Sequence, residues 1–264
     1  MEVRVLGPVE VVVHGRPVRL AKRQHRLIMG ILSIQANRAV PSARLVELLW
    51  GDRAPARPRA VLHSRLSELR AVLRTAGGVT VQQAIVTGDD GYTLRIPNRM
   101  VDAHLFEALV AESRTMNSDM QLRDKLRQAL RLWRGSILGG WSSTGPTDAL
   151  LRSLESARLT AAEDLYEAEL RLGNHTSITD EITALSAAHP TRDRLTAAAM
   201  LALHRAGRSA EAIGVYHQRR VWLASELGVD PAPALRHLHV AVLRHDPALN
   251  RQPPLPGSER PTPT

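Results

Sequence analysis

The amino-acid sequence predicts a mainly α-helical protein with small β elements, divided into an N-terminal part that contains strands and a longer part built only from helices. Apolar residues alternate with a period of two over residues 1–20 and again shortly before residue 97. After about Val101 they recur only at helical spacing, with glycine and proline breaks between the runs. A chain of 264 residues is long enough for two domains of ordinary size.

The N-terminal part begins with a sheet and two helices. Short alternating apolar runs in residues 1–20, separated by glycine and proline turns, predict a small antiparallel sheet. Helical spacing predicts a first helix over residues 22–35. It predicts a second, shorter helix that begins near Ser42 and stops at Gly51.

A third helix and a hairpin follow. Residues 58–75 place leucines at i, i+4, i+7 and i+11, which predicts one buried face. Residues 79–87 and 92–96 predict two strands joined by the turn Gly88-Asp89-Asp90-Gly91. A sheet, three helices and a terminal hairpin are the layout of a winged helix-turn-helix, which we assign to residues 1–97.

Residues 98–249 are predicted to form an all-helical, tetratricopeptide-like domain. Gly173 and Gly207 lie between helical runs and are 34 residues apart, which is the tetratricopeptide period. The match is partial, because only some of the repeat's small and aromatic positions recur. Residues 250–264 are rich in proline and offer little to bury, so they predict a disordered tail.

The formal net charge of +9 lies entirely in the first hundred residues, which hold 16 basic and 7 acidic side chains. Such asymmetry favours an acidic partner, a nucleic acid or a membrane. No apolar run approaches the ~20 residues that span a bilayer, and the start lacks a signal-peptide core. The absence of cysteine excludes a disulfide framework and thiolate zinc sites. We therefore expect a cytoplasmic protein, associated with the nucleoid through DNA and with no membrane partner.

The third helix carries a basic outer face. Five of its side chains fall within an arc of about 80° on a helical wheel: Arg59, His63, Ser67, Arg70 and Arg74. Any amphipathic helix needs a polar outer face, but this one belongs to the part of the chain that carries the charge. Arg57 and Arg59 also lie at its N-terminal end, where base-reading residues usually sit. We predict that this face enters the major groove of double-stranded DNA, where Arg can bind guanine through two hydrogen bonds.

Several short stretches of the sequence are typical of one known family. In the N-terminal part they are Val5-Leu6-Gly7-Pro8-Val9, Gly15-Arg16-Pro17-Val18, Ala36-Asn37-Arg38-Ala39-Val40, Leu48-Leu49-Trp50-Gly51, Leu62-His63, Leu66-Ser67-Glu68-Leu69-Arg70 and Gly91-Tyr92-Thr93-Leu94. In the later part they are Asp102 to Phe106, Leu132-Trp133-Arg134-Gly135, His189-Pro190 to Arg194-Leu195, Ala206-Gly207-Arg208 to Glu211-Ala212 and Glu226-Leu227-Gly228-Val229-Asp230-Pro231. With these stretches, the chain resembles the Streptomyces antibiotic regulatory protein (SARP) family of transcriptional activators over residues 1 to about 249, and its later part resembles the bacterial transcriptional activator domain.

The resemblance implies an OmpR/PhoB-type winged helix followed by a tetratricopeptide-like activation domain. It implies binding to direct repeats near the −35 element of promoters in secondary-metabolite (antibiotic) clusters. The bound copies would be a homodimer or a side-by-side pair, and they would recruit RNA polymerase holoenzyme.

Two departures from the family pattern alter the expected contacts. Glu68 stands where the family usually has Arg, and the hairpin turn carries Asp89 and Asp90 where Arg and prolines are frequent. Acidic groups are repelled by phosphate. We therefore expect the DNA backbone contacts to come from these cations: Arg95, Arg99 or the Lys22-Arg23 end of the first helix.

No catalytic, cofactor or metal site is predicted, and we do not expect an enzyme. Neither lysine follows phosphate-loop spacing, and no Gly-x-Gly-x-x-Gly joins a strand to a helix. His237 and His239 are at i and i+2, so they point apart on a helix. The acidic group Glu163, Asp164 and Glu167 lacks a nucleophile or metal partner and is expected to be an exposed face.

Two alternatives to a DNA-binding activator remain open. The chain could be a helical-repeat interaction adaptor whose winged helix contacts protein. It could also be a ligand-gated regulator that uses the aromatic residues of its helical domain, for which core packing is the default. Those residues are Trp133, Trp141, Tyr166, Tyr216 and Trp222.

Overall fold

The computed structural model describes residues 1–89, 91–140 and 147–250. It divides into two compact units, one of Met1–Glu112 with Gln128–Arg158 and one of Ser113–Arg127 with the chain from Leu159 onward. Asp90, Trp141 and the predicted tail beyond Asn250 lie outside the described residues.

The first unit opens with the predicted sheet. Strands β1 (Glu2–Arg4), β2 (Glu10–Val13) and β3 (Arg16–Val18) are antiparallel and adjacent in chain order. Val3 pairs with Val11, and both are buried. The period-two alternation of the sequence therefore predicts the correct inward face, because successive side chains of a strand point to opposite sides.

Three helices follow the sheet. They are α1 (Arg23–Ile34), α2 (Ser42–Trp50) and α3 (Pro58–Gln82), and α3 begins with Pro at its first position, where the missing N–H costs no hydrogen bond. The predicted leucine stripe of α3 is almost completely buried: Leu62, Leu66, Leu69 and Leu73 are at most 1% exposed. Burying this row against the rest of the unit leaves the opposite face of α3 to solvent.

The predicted hairpin is present, but its first strand is shorter than expected. Strands β5 (Ile85–Gly88) and β6 (Gly91–Leu94) pair through a two-residue turn, and β4 (Val40–Pro41) joins the other edge of β6. The prediction of a strand from Val79 is wrong, because residues 79–82 continue α3 as a helical turn beyond a break at Gly78 (φ +74°). β6 pairs with residues 85–88, and the Arg95 N–H just after it donates to the Ala84 carbonyl (2.7 Å), but none of the described strands pairs with residues 79–82.

The first unit also includes chain beyond residue 97. The Asp102 carboxylate, at the start of α4 (Asp102–Ser113), accepts hydrogen bonds from the N–H groups of Val5 (2.7 Å) and Leu6 (3.1 Å). Further along, past α5 (Asp119–Leu130), the Arg134 N–H donates to the Leu6 carbonyl (2.7 Å). The boundary of the compact unit therefore differs from the division at residue 97, which stays a prediction about functional domains.

The second unit consists of helices and turns in its described residues. Its α-helices are α5 and α6 (Thr147–Arg171), both shared with the first unit, α7 (His175–Ala188), α8 (Asp193–Arg205), α9 (Ser209–Leu227) and α10 (Pro233–Leu243). Gly173 and Gly207 occupy equivalent turns, before α7 and before α9, with φ of +80° and +77° respectively. The 34-residue spacing thus corresponds to one helix pair. No helix in the described parts of the chain is long and apolar enough to cross a membrane.

Candidate nucleic-acid interface

The outer face of α3 presents a row of polar side chains to solvent. Arg59, His63, Ser67 and Arg74 are all exposed, opposite the buried leucines. At ~1.5 Å of rise per residue, the row from Arg59 to Arg74 extends about 22 Å along the helix. Within the described residues, no hydrogen bond or ion pair occupies the side chains of Arg59, His63 or Arg74. Arg57 is exposed at the cap position immediately before the helix.

Arg70 lies on the side of this row that faces the hairpin. Its Nε and Nη2 donate to the Ile85 carbonyl (3.1 and 2.9 Å), and Nη2 also donates to Thr87 Oγ1 (2.7 Å). The guanidinium carbon is 6.0 Å from the centroid of the Tyr92 ring. These contacts fasten α3 to the hairpin, so a DNA contact by Arg70 requires some of these hydrogen bonds to be exchanged.

Glu68 holds three neighbours on the other side of the row. Its Oε2 accepts from Lys22 Nζ (2.8 Å), its two carboxylate oxygens accept from Arg65 Nη1 (3.0 and 3.1 Å), and His25 Nε2 lies 3.0 Å from Oε2. The hydrogen bonds from Lys22 and Arg65 lower the pKa of Glu68 to about 2. Glu68 therefore stays ionised and neutralises part of the positive charge beside the helix.

His25 is the buried member of this cluster. Its side chain is only 4% exposed, and burial lowers its pKa below 6.5 although the hydrogen bond that it donates to Glu68 opposes that shift. The imidazole is thus neutral at neutral pH. Lys22 and Arg65 are the two cations of the cluster, and Glu68 offsets one of them. The cluster of Lys22, His25, Arg65 and Glu68 therefore carries a net charge of +1.

The cations expected to contact the DNA backbone differ in their surroundings. Lys22 is paired with Glu68, and Arg99 is paired with Glu112 (2.9 Å). Arg23 is exposed at the first position of α1, and Arg95 is exposed directly after β6. Arg95 Nε and Nη atoms have no partner among the described residues.

The hairpin tip offers no cation. Gly88 pairs with Gly91, so two residues form the turn, and the described one of them, Asp89, is exposed. Asp90 falls outside the described residues. The part of the tip that is described is therefore acidic, as the sequence predicts.

Sequence reasoning missed the Glu68 cluster and the Arg70 contacts. Glu68 and Arg65 are three residues apart on one helix, a spacing that indicates an ion pair. Lys22 is 46 residues away in the chain, and Ile85 is 15 residues from Arg70, so no local signal indicates either contact.

The acidic group in the second unit is an ion-pair network, and the prediction of an exposed face is wrong for its first member. Arg194 donates to Glu163 (3.2 Å), Asp164 (2.7 Å) and Glu167 (2.8 Å). Glu163 is 4% exposed, and burial raises its pKa. One guanidinium thus holds three carboxylates between α6 and α8.

The aromatic and histidine residues are divided between core and cavity. Tyr166 and Tyr216 are buried, as core packing predicts, and Trp133 packs edge-on against Phe106 with ring centroids 5.4 Å apart. His239 stacks on Tyr216 at 3.9 Å. Trp222 is half-buried beside a cavity, and Trp141 lies outside the described residues. Among the described residues, no group of three His, Cys, Asp or Glu side chains could hold a metal ion.

A winged helix whose third helix has a basic outer face, followed by paired helices of tetratricopeptide type, defines a class of bacterial transcriptional regulators. Residues 101–243 match the bacterial transcriptional activator domain. The chain is 33% identical over 261 residues to the regulatory protein DnrI of Streptomyces peucetius, covering 96% of each chain. It belongs to the Streptomyces antibiotic regulatory protein family of transcriptional activators.

Longer relatives contain further sequence. The chain is 37% identical over 250 residues to the regulatory protein AfsR of Streptomyces coelicolor, covering 93% of this chain but only 24% of AfsR. The solved structure of Mycobacterium tuberculosis EmbR, in complex with a low-affinity phosphopeptide, has a TM-score of 0.77 and 29% identity. That similarity covers 94% of this chain and 68% of EmbR, and it confirms the predicted fold class.

Proposed function

We propose that this chain activates transcription by binding promoter DNA through the exposed row Arg59, His63, Ser67 and Arg74 of α3. The observation that carries the proposal is the pairing of a fully buried leucine stripe with an opposite face whose two arginines have no partner within the described residues. An α-helix with these two faces can enter a major groove and contact base edges while its other side stays in the core.

The N-terminal end of α3 is proposed to read the bases. Arg59 has its five N–H donors available for guanine O6 and N7, and Arg57 lies two residues before it in the chain. His63 and Ser67 follow on the same face and suit base edges or phosphates. Arg74 and Arg95 are proposed as phosphate contacts, together with Arg23 at the start of α1. Lys22 beside Arg23 is proposed to join them only where Glu68 releases it. Arg70 is also proposed to contact DNA, by exchanging some of its hydrogen bonds to the hairpin for bonds to DNA.

Neutralisation of phosphate is proposed to supply most of the affinity. The first hundred residues carry the whole charge of +9. Each cation that binds a phosphate releases condensed counterions, so binding should weaken steeply as salt increases.

The family resemblance supports a more specific role. We propose that two copies, as a homodimer or side by side, occupy direct repeats near the −35 element and recruit RNA polymerase holoenzyme. The controlled promoters would belong to an antibiotic or other secondary-metabolite cluster.

The test uses the full chain in footprinting and gel-shift titrations at two salt concentrations. Arg59→Ala should cost about 1 to 3 kcal/mol of binding free energy and relax base preference at one position of the site. The matched control, Arg236→Ala, removes the same charge from an exposed position of α10 and should change neither.

Two results would contradict the proposal. Unchanged affinity and base preference for both Arg59→Ala and His63→Ala would remove α3 as the reading element. An absence of salt-sensitive DNA binding by the full chain would instead favour the interaction-adaptor alternative.

A further inference from the structure

The second unit contains a cavity among α7, α8 and α9. Its volume is about 260 Å³. The cavity is lined on one side by Arg219 and Trp222 of α9 and on the other by side chains of α7 and α8. It does not involve the DNA-binding face, so the inference is independent of the function proposed above.

Arg219 is the unusual member of this lining. The residue is 7% exposed, and its Nε and Nη2 both donate to one oxygen of Asp193, at 3.3 and 3.0 Å. Its buried Nη1 has no hydrogen-bond partner among the described residues. A buried donor without a partner costs free energy, and more so on a charged group. Arg219 therefore retains donor capacity that the protein itself does not use.

The remaining walls combine an aromatic plate, small apolar groups and hydroxyls. The Arg219 guanidinium lies 5.2 Å from the centroid of the Trp222 ring, which is half-buried. Ala187 and Val215 supply apolar surface. Ser186 Oγ donates to Thr196 Oγ1 (3.2 Å), which places two hydroxyls on the cavity wall.

This combination fits one chemical class. A planar guanidinium matches a carboxylate in both charge and geometry, and an aromatic plate accepts a flat apolar body. Arg219 can be shared between Asp193 and a second carboxylate, since Arg194 in the same unit already serves three. A cavity of ~150 Å³ holds one benzene molecule. At the same volume per atom, the cavity beside Arg219, with about 260 Å³, holds about ten non-hydrogen atoms.

We propose that this cavity binds a small organic carboxylate with a flat apolar body, and that the guanidinium of Arg219, whose donors the protein does not fully use, recognises the carboxylate. The ring of the ligand lies against Trp222. The site is a binding site for an effector, distinct in position and chemistry from the cationic row of α3.

Phenylacetate is a suitable probe, because it joins a carboxylate to a ring and has about ten non-hydrogen atoms, the size derived above. Its neutral counterpart, phenylacetamide, keeps the shape and removes the charge. Calorimetric titration of the full chain should show millimolar or tighter binding of phenylacetate. The amide should bind at least about tenfold more weakly, because the charged hydrogen bond is lost.

Two variants test the location. Arg219→Gln should abolish the preference for the acid over the amide, while Arg220→Gln, an exposed neighbour on the same helix, should retain it. Ala187→Phe should block the cavity from its exposed rim, whereas Ala188→Phe, the next residue and not part of the lining, should leave binding intact.

The Ala187 pair keeps the proposal falsifiable even if Arg219→Gln fails to fold. Loss of phenylacetate binding in Ala187→Phe, with binding retained in Ala188→Phe, supports the site. Equal binding of acid and amide, unchanged binding in Ala187→Phe, or no binding of phenylacetate at about 10 mM, a ligand concentration that detects even weak affinity, would each overturn the proposal.

Discussion

Replacing Glu68 by Gln should strengthen DNA binding and make it more sensitive to salt. The side chains have nearly the same shape, so the change removes a negative charge beside α3 and leaves a group that can still accept hydrogen bonds. Two cations now held by that charge, Lys22 at 2.8 Å and Arg65 at 3.0 Å, become available to phosphate.

The size of the effect follows from counterion release. Each additional phosphate contact changes the slope of log K against log salt by about −0.9. Two contacts would therefore steepen the slope by up to about 1.8. Between about 50 and 200 mM salt, the advantage of the variant over the wild-type chain would shrink roughly twelvefold.

The assay is a fluorescence-anisotropy titration of the full chain against its footprinted promoter site at four or more salt concentrations. Glu47→Gln is the matched control, because it removes the same charge from an exposed ion pair on α2. A slope for Glu68→Gln that equals that of the wild-type chain, or that of Glu47→Gln, would refute the role given to this cluster.

Three further predictions concern the first unit. Arg70→Ala should destabilise the hairpin by about 1 to 2 kcal/mol because three hydrogen bonds are lost, and hydrogen exchange of the β5 amides should accelerate; unchanged exchange would mean that these bonds do not hold the hairpin. Asp102→Ala leaves the buried N–H groups of Val5 and Leu6 without acceptors, which costs about 1 to 3 kcal/mol for each group. Removal of the buried carboxylate offsets part of this cost, so the free energy of unfolding measured in urea should fall by about 2 to 4 kcal/mol. A loss below about 1 kcal/mol would contradict this account, and Asp102→Asn should fall between, since its amide oxygen can still accept. Glu68 has its pKa lowered from 4.5 to about 2 by its paired cations, so its ionised form contributes stability above pH 4.5 that is lost as the pH falls toward 2. The stability gap between the wild-type chain and Glu68→Gln should close over that range in acid titrations, and a gap independent of pH would contradict the ion pairing.

The N-terminal sheet region of the first unit is held in part by residues beyond position 97. A fragment that ends at residue 97 lacks the Asp102 carboxylate, which accepts the N–H groups of Val5 and Leu6. It also lacks Arg134, whose guanidinium pairs with Glu10 at 2.9 Å. DNA binding should therefore be measured on the full chain.

Local patterns were sufficient wherever a single periodicity decides the structure. The leucine row of α3, the alternating valines of β1 and β2 and the 34-residue spacing of Gly173 and Gly207 each depend on neighbours within one or two elements. The segment from Val79 misled the prediction, because an apolar stretch has strand propensity whether or not a partner strand reaches it. In this protein β6 reaches only to Ile85.

By itself, the sequence determined the fold class, the buried and exposed faces of α3, the position of the whole excess charge and the family. These properties follow from the spacing of apolar residues and from composition, and neither depends on contacts between residues far apart in the chain. Only the tertiary structure decided that Glu68 holds Lys22, that Arg70 is bonded to β5 and that Arg219 keeps an unpartnered nitrogen beside a cavity. Each of these depends on which side chains meet across 15 to 46 residues of chain, a property that packing alone sets.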